Sequence, residues 1–349
     1  MIAKVVGHSH FTRGVAFLKG GTIVQQTPGG KNQKRAQAAA PDAWRMPAVS
    51  TLKPSPVFNT DCMSTIPQEF HDILERALAA APLSDGQIRR IIDSGPDQLP
   101  ALLHMAGRVR QHFFGRTVQF CAIINAKSGR CSEDCTFCAQ SVHYATDSPE
   151  YPLKDAHTIL QAARRMKAAG AGRFSLVTSG KSLSARELDA AASLLQSIRN
   201  EGLEPDISPG VLDEPRLKAL QAKGLSGYHH NLETSRSHFP AVCTTHDYDE
   251  DVDAVRAAVK SGLYVCSGGL FGLGETWEDR VELALLLREL GVHSVPVNFL
   301  HPIPGTPLAD RPLLQPEEAL KTIMLLRFLL PDRQIRICGG RETVFGSRR

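Results

Sequence analysis

From Ala156 to Cys338 the sequence repeats one pattern six times, an amphipathic helical stretch followed by a short apolar run. The helical stretches are Ala156–Ala169, Ala185–Asn200, Glu214–Ala222, Tyr248–Ser261, Trp277–Leu290 and Pro316–Leu329. The runs that follow them are Arg173–Thr178, Asp206–Ser208, Gly227–Leu232, Leu263–Phe271, Ser294–Leu300 and Gln334–Cys338. Such alternation dictates parallel strands, because each helix returns the chain to the same end of the sheet. A further run, Cys121–Ala126, comes first and is bounded by Lys127-Ser128-Gly129. The expected fold class is therefore α/β, a TIM-type (β/α) barrel with helices outside. Seven strands leave a closed eight-stranded barrel one unit short, so the last α/β unit is expected to be missing. Thr343 to Arg349 do not read as the start of another helix.

Two segments precede the barrel. Residues 1–62 are rich in Gly, Gln, Pro, Ala and Thr, carry scattered Lys and Arg, and have Asp42 as their only acid before Asp61. They are expected to be a disordered basic extension, a tail or an extended gene call more than an organellar leader, with Met63 as a possible true start. Cys62 at its edge is expected to be idle. Residues 63–118 read as helical: Phe70, Ile73, Leu74 and Leu78 share a face, Ile88, Ile91 and Ile92 follow Leu83-Ser84-Asp85, and a third helix runs from about Leu99 to Phe114. These helices are expected to cover the base of a barrel formed by residues 119–349.

Composition narrows the function. A net charge of +4 over 349 residues gives no basic surface for nucleic acid, and no apolar run approaches membrane-spanning length. Eight cysteines without a secretory leader point to a reducing cytoplasm, with thiols used for metal or catalysis.

Cys131, Cys135 and Cys138 stand in C-x3-C-x2-C spacing on the loop that leaves the first barrel strand. In α/β barrels that strand end carries the active site. Three thiolates so close can hold three corners of a cubane iron–sulfur cluster and leave the fourth iron open to a small molecule. A purely electron-carrying 4Fe-4S centre normally takes four cysteines. Structural zinc would show a second C-x2-C pair or histidine partners nearby, and disulfides would need an exported chain.

Polar and glycine residues gather at the other strand ends. They include His229-His230-Asn231-Leu232-Glu233, then Cys266-Ser267-Gly268-Gly269 leading to Gly272-Leu273-Gly274-Glu275, then Asn298, and finally Arg336 and Cys338. Glycines in a strand let backbone approach a flat ligand. Neighbours on a strand point to opposite faces, so only one of His229 and His230 is expected to face the pocket. Cys243, Cys266 and Cys338 are expected to approach one another as a second metal site.

On these residues the chain resembles the radical S-adenosylmethionine superfamily, and within it the biotin synthase family, from about Leu83 to Glu342. The specific stretches are Ile124-Asn125-Ala126-Lys127-Ser128-Gly129 with the cysteine triplet and Ala139-Gln140-Ser141, Asn231-Leu232-Glu233-Thr234-Ser235, Cys266 to Glu275, and Ser294 to Asn298 with Pro304 to Leu308. The resemblance implies a sulfurtransferase. S-adenosylmethionine would bind the open iron of a 4Fe-4S cluster and yield a deoxyadenosyl radical that takes hydrogen from dethiobiotin. Sulfur from an auxiliary iron–sulfur cluster would close the ring of biotin.

By position, the resemblance makes Cys131, Cys135 and Cys138 the cluster ligands and Phe137 the aromatic beside the adenine. Asn231 and Glu233 would bind the ribose or the substrate side of the cofactor, and Asn298 would contact dethiobiotin. Gly268, Gly269, Gly272 and Glu275 would line the adenine pocket. It also implies a reducing electron donor such as flavodoxin or ferredoxin, and a homodimer.

The chain departs from that pattern at the auxiliary 2Fe-2S cluster. Ser175 and Asp206 stand at two expected cysteine positions, and only Cys266 and Arg336 remain of that set. Cys243 and Cys338 are additional, so an altered auxiliary cluster is expected on Cys243, Cys266 and Cys338 with Arg336, since thiolates suit iron–sulfur better than serine or aspartate. Asp251 falls where an arginine often meets the S-adenosylmethionine carboxylate, or else it opens a helix. The alternatives are a hydrogenase-maturation or methylornithine-synthase-like enzyme on the same frame, or a truncated inactive cluster-binding product.

Overall fold

The computed structural model describes residues 15–17 and 66–346. Cys62 lies outside them, and so does all of the expected disordered extension except Val15–Phe17, which form a strand, β1. The N-terminal helices are α1 (His71–Leu78), α2 (Asp85–Asp93) and α3 (Leu99–Phe114). The alternating part begins with β2 (Cys121–Lys127), α4 (Ala156–Ala168), β3 (Arg173–Thr178), α5 (Ala185–Asn200), β4 (Glu204–Ser208), α6 (Glu214–Ala222), β5 (Gly227–His229) and α7 (Tyr248–Lys260). It continues with β6 (Tyr264–Cys266), β7 (Gly269–Phe271), α8 (Trp277–Leu290), β8 (Ser294–Phe299), α9 (Pro316–Leu329), β9 (Gln334–Ile337) and α10 (Arg341–Phe345).

Local sequence sets the helix starts. Ser84 with Gln87, Ser184 with Glu187 and Thr276 with Asp279 form capping boxes at the starts of α2, α5 and α8. In each, the hydroxyl accepts an otherwise unpaired backbone N–H while the longer side chain reaches back. Lys321 on α9 donates to the carbonyls of Ile92 (2.9 Å) and Ser94 (2.6 Å), which fastens the end of α2 to the outer helix layer.

All strand pairs are parallel, in the spatial order β1, β2, β3, β4, β5, then β6 and β7, then β8 and β9. Among the described residues β1 and β9 end the sheet without pairing to each other, so the barrel is open there. The expected continuous strand Leu263–Phe271 is instead split at Ser267-Gly268. The reason lies in β8: Pro296 has no N–H to give to the ladder. Its backbone also lies so close to Gly268 that a side chain there would overlap it. The carbonyl of Gly268 turns to accept the N–H of Leu232 at 3.0 Å. The segment read as non-helical after β9 contains α10, whose Phe345 packs edge-on against Phe299 of β8 (centroids 5.7 Å apart).

Candidate active site

The cysteine loop leaves β2 through two residues in the left-handed region, Gly129 (φ 78°) and Arg130 (φ 53°). Gly129 is required there because a side chain would run into Glu150. The loop then folds on itself: the Cys131 N–H donates to Gln140 O and the Val142 N–H to Cys131 O, both at 2.9 Å. The Gln140 side-chain carbonyl accepts from Ser128 Oγ (3.0 Å) and the Gly129 N–H (3.1 Å), and Ser141 Oγ donates to Glu133 O at 2.6 Å.

This closure buries all three thiols, leaving Cys131, Cys135 and Cys138 at 1%, 6% and 2% exposure. Burial pushes the Cys138 thiol up to about 11 and raises Cys131, while Cys135 is raised first by its hydrogen bond to Cys243 and then by burial. Three soft donors on one dry loop, costly as free thiolates, fit an iron–sulfur cluster, whose irons would compensate that charge. Among the described residues the only group of three or more Cys, His or carboxylate side chains with ligand atoms within 4.8 Å of one another is Glu133, Cys243 and His246, beside this loop.

β5 settles the histidine question. Tyr228 and His230 stack on the outer face (centroids 6.0 Å), and His230 Nε2 donates to Asp251 on α7 at 2.7 Å. By alternation His229 and Asn231 point inward. His229 meets Ser208 Oγ at 3.2 Å, and burial keeps its ring well below its usual pKa and therefore neutral. Asn231 accepts the Gly268 N–H at 3.2 Å and donates to Glu233 at 3.4 Å. Glu233 is 5% exposed, and burial lifts its carboxyl to about 7. It sits at φ 63°, a costly conformation for a non-glycine residue and one found most often at functional sites. Asp251 lies in the first turn of α7, buried between His230 and His246.

Several expected ligand contacts turn inward instead. The Glu275 carboxylate accepts the N–H groups of Gly272 (2.9 Å), Leu273 (2.7 Å) and Gly274 (3.1 Å) and pairs with buried Arg280 at 2.9 Å. It therefore holds the glycine turn in shape. A side chain on Gly269 would meet the Glu233 carbonyl and Leu283, so this glycine serves strand packing. Asn298 donates to Gly269 O (3.3 Å) and accepts the Gly339 N–H (2.9 Å). Phe137 is 2% exposed, within the core cluster.

The second metal site differs from the expected set. Cys243 does not join Cys266 and Cys338. The loop after β5 carries it to the cysteine triplet instead, where Thr136 N–H donates to Val242 O at 2.9 Å. Cys121, the first residue of β2, instead lies within electrostatic reach of Cys266 and Cys338. Burial, then the charges of Cys121 and Cys266, push the Cys338 thiol up, and burial lifts Cys266 to about 11. The same two cysteines hold Arg336 charged against the cost of its burial. Arg336 is aimed by hydrogen bonds of 2.9 Å to Tyr264 Oη and to Gln334. Asp206, at one of the positions lacking cysteine, is locked by Arg173 at 2.8 and 2.5 Å. Sequence reasoning missed Cys121 because it opens an apolar run and reads as a small core residue.

Family models agree with this geometry. The Radical SAM superfamily model matches residues 126–287, and the Biotin and Thiamin Synthesis associated domain matches residues 296–349. A biotin synthase from Geobacter sulfurreducens is 57% identical over 244 residues, covering 69% of this chain and 74% of that protein. The chain belongs to the biotin synthase family. A second member of that family, from Syntrophotalea carbinolica, is 49% identical over 277 residues, covering 79% of this chain and 85% of the relative. Among solved structures, methylornithine synthase superposes with a TM-score of 0.67 at 25% identity, over 75% of this chain and 78% of that one. The hydrogenase maturase HydG from Carboxydothermus hydrogenoformans gives 0.64 at 18% identity, over 76% and 65%, a likeness of fold alone. Biotin synthase family membership thus selects among the radical S-adenosylmethionine enzymes that share this barrel.

Proposed function

We propose that this chain converts dethiobiotin to biotin by S-adenosylmethionine-dependent sulfur insertion, as a sulfurtransferase of the radical class. The observation that carries the reading is the presence in one barrel of two separate cysteine sets, the buried loop triplet and the Cys121, Cys266, Cys338 group with Arg336. One cluster with an open iron and one auxiliary iron–sulfur cluster are what this reaction requires. When bound, they and S-adenosylmethionine supply the radical chemistry and the sulfur.

The chain's own residues bind, orient and exclude water. Cys131, Cys135 and Cys138 hold the 4Fe-4S cluster. Asn231 and Glu233, fixed on the inner side of β5 and its exit, face the cofactor, and His229 adds a neutral imidazole beside them. Phe137 and the turn braced by Glu275 wall the adenine side. Asn298 sets the backbone around the dethiobiotin pocket instead of reaching into it. The barrel domain spans 119–349, and the helical segment 63–118 supports it through α9.

The reductant is a low-potential carrier such as flavodoxin or ferredoxin, and the working form is a homodimer, as the family suggests. A cytoplasmic location accords with seven free cysteines in the described residues, and no helix there is long and apolar enough to cross a membrane. Anaerobic reconstitution with iron and sulfide, then S-adenosylmethionine, dethiobiotin and reductant, tests the reading by mass spectrometry. Biotin or 9-mercaptodethiobiotin supports it, and cleavage of S-adenosylmethionine without sulfur insertion overturns the substrate assignment.

A further inference from the structure

The acids of the cluster loop are turned inward or tied down. Glu133 is buried, and Asp134 accepts the Thr244 N–H at 2.8 Å and the Thr245 hydroxyl at 3.2 Å. Two other side chains of the loop stand out into solvent, and both are tied to Cys131. Arg130, the residue before it, is exposed and makes no hydrogen bond or ion pair among the described residues. Val142 is 59% exposed, and its N–H donates to the Cys131 carbonyl at 2.9 Å. His143 extends the same rim, with its Nε2 at 2.9 Å from the Ser132 carbonyl. Glu150, whose stem packs beside Gly129, forms no ion pair with Arg130. The rim therefore presents an apolar spot and an uncompensated positive charge.

Arg130 holds φ 53°, a conformation that costs a residue with a side chain and costs glycine little. A glycine would make the turn more easily, so the arginine is not there for the backbone. Nor is it there to pair within the chain. Strain of this kind persists where the side chain that causes it is used. An exposed apolar residue beside an unpaired arginine is the composition of a contact surface, and electron-transfer contacts are among the smallest that proteins make. Cys131 itself is 1% exposed, so a partner cannot touch its sulfur. The rim reaches that residue through one peptide unit, from Arg130, and one hydrogen bond, from Val142.

We propose that this rim, centred on Arg130 and Val142, is where an acidic low-potential electron-carrier protein docks to reduce the cluster held by the loop. The positive charge selects and steers a partner whose own contact face is acidic. One electron passes from the carrier, which is oxidised, to the cluster, which is reduced, and no bond is made or broken. The inference rests on the reading that Cys131, Cys135 and Cys138 hold a 4Fe-4S cluster.

The test uses the full chain, reconstituted anaerobically, as wild type, Arg130→Gly, Arg130→Glu and Val142→Ser, with a flavodoxin and a ferredoxin of acidic surface as probes. Two quantities are read: the dissociation constant of the oxidised carrier at low and high salt, and the rate of S-adenosylmethionine cleavage driven by reduced carrier or by excess dithionite. Wild-type binding to at least one carrier is expected to weaken as salt rises. At low salt Arg130→Glu is expected to weaken it about tenfold, and Arg130→Gly and Val142→Ser about threefold each. The carrier concentration at half-maximal cleavage is expected to rise by the same factors, while dithionite-driven cleavage stays at the wild-type rate. Unchanged binding in Arg130→Glu, or wild-type binding indifferent to salt, overturns the proposal. An equal fall in dithionite-driven cleavage also overturns it, because Arg130 would then act on the cluster and not on the carrier. A wild-type chain that cleaves with dithionite but takes electrons from neither carrier overturns the docking assignment alone. One that does not cleave with dithionite overturns the cluster reading, and the inference with it.

Discussion

The side-chain amide of Asn298 accepts the backbone N–H of Gly339 at 2.9 Å and donates to Gly269 at 3.3 Å, so one residue joins β7, β8 and the exit of β9. Gly339 follows Cys338, and Asn298 thereby helps fix where that thiol stands. Asn298→Ala leaves a buried donor and acceptor without partners, each worth about 1 to 3 kcal/mol. A thermal melt of the cluster-free chain is expected to show a loss of roughly 2 to 4 kcal/mol, and the reconstituted variant a lower auxiliary iron content.

Glu275 braces the glycine turn from within. Glu275→Ala takes one carboxylate from Arg280, which is 3% exposed and keeps Glu318, Thr322 and the Trp277 ring as partners. Glu318 still compensates the Arg280 charge, so the cost is that of losing one charged hydrogen-bond partner, about 1.5 to 3 kcal/mol. Denaturant unfolding is expected to show a loss of that size, while Glu275→Gln, which can still accept the turn N–H groups, loses less.

The two cysteine sets separate by iron content. Alanine at Cys121, Cys266 or Cys338 is expected to remove the auxiliary iron and leave S-adenosylmethionine cleavage in place. Alanine at Cys131, Cys135 or Cys138 is expected to abolish cleavage. Auxiliary iron that survives Cys121→Ala would show that β2 does not contribute a ligand.

Glu233 links stability to pH. Its folded carboxyl titrates at about 7, above the ordinary value of 4.5, so the folded chain holds the proton more tightly than the unfolded chain. The contribution is fully present below about pH 4.5 and is lost as pH rises through about 7. At about 1.4 kcal/mol per unit, the loss is roughly 3 kcal/mol. In the cluster-free chain Glu233→Gln is expected to flatten this fall, seen by comparing melts at pH 5 and pH 8. Parallel pH dependence in the variant would remove Glu233 as its source.

How much of the protein could be read in advance differs between the frame and the site. Helices α4 to α9 announce themselves through apolar periodicity and capping residues such as Ser184 and Thr276, because these signals act within a few residues. The break between β6 and β7 is written in Gly268 and Pro296, but it becomes visible only once those two residues are paired across strands. Gly268 and Glu275 illustrate the limit: residue type marked the turn as special, yet their partners are other parts of the chain.

By itself the sequence determined the parallel α/β frame, the cluster loop at the end of its first barrel strand, and the chemistry that three thiols in C-x3-C-x2-C spacing can hold. Only the tertiary structure decided which of the other cysteines meet. Cys121 opens the apolar run at Cys121–Ala126, yet it comes within electrostatic reach of Cys266 and Cys338, while Cys243 goes to the cluster loop. A loop ligand set is fixed by spacing along a few bonds, whereas a site built from several strands is fixed by register, stagger and curl of the whole sheet, which no local stretch of residues encodes.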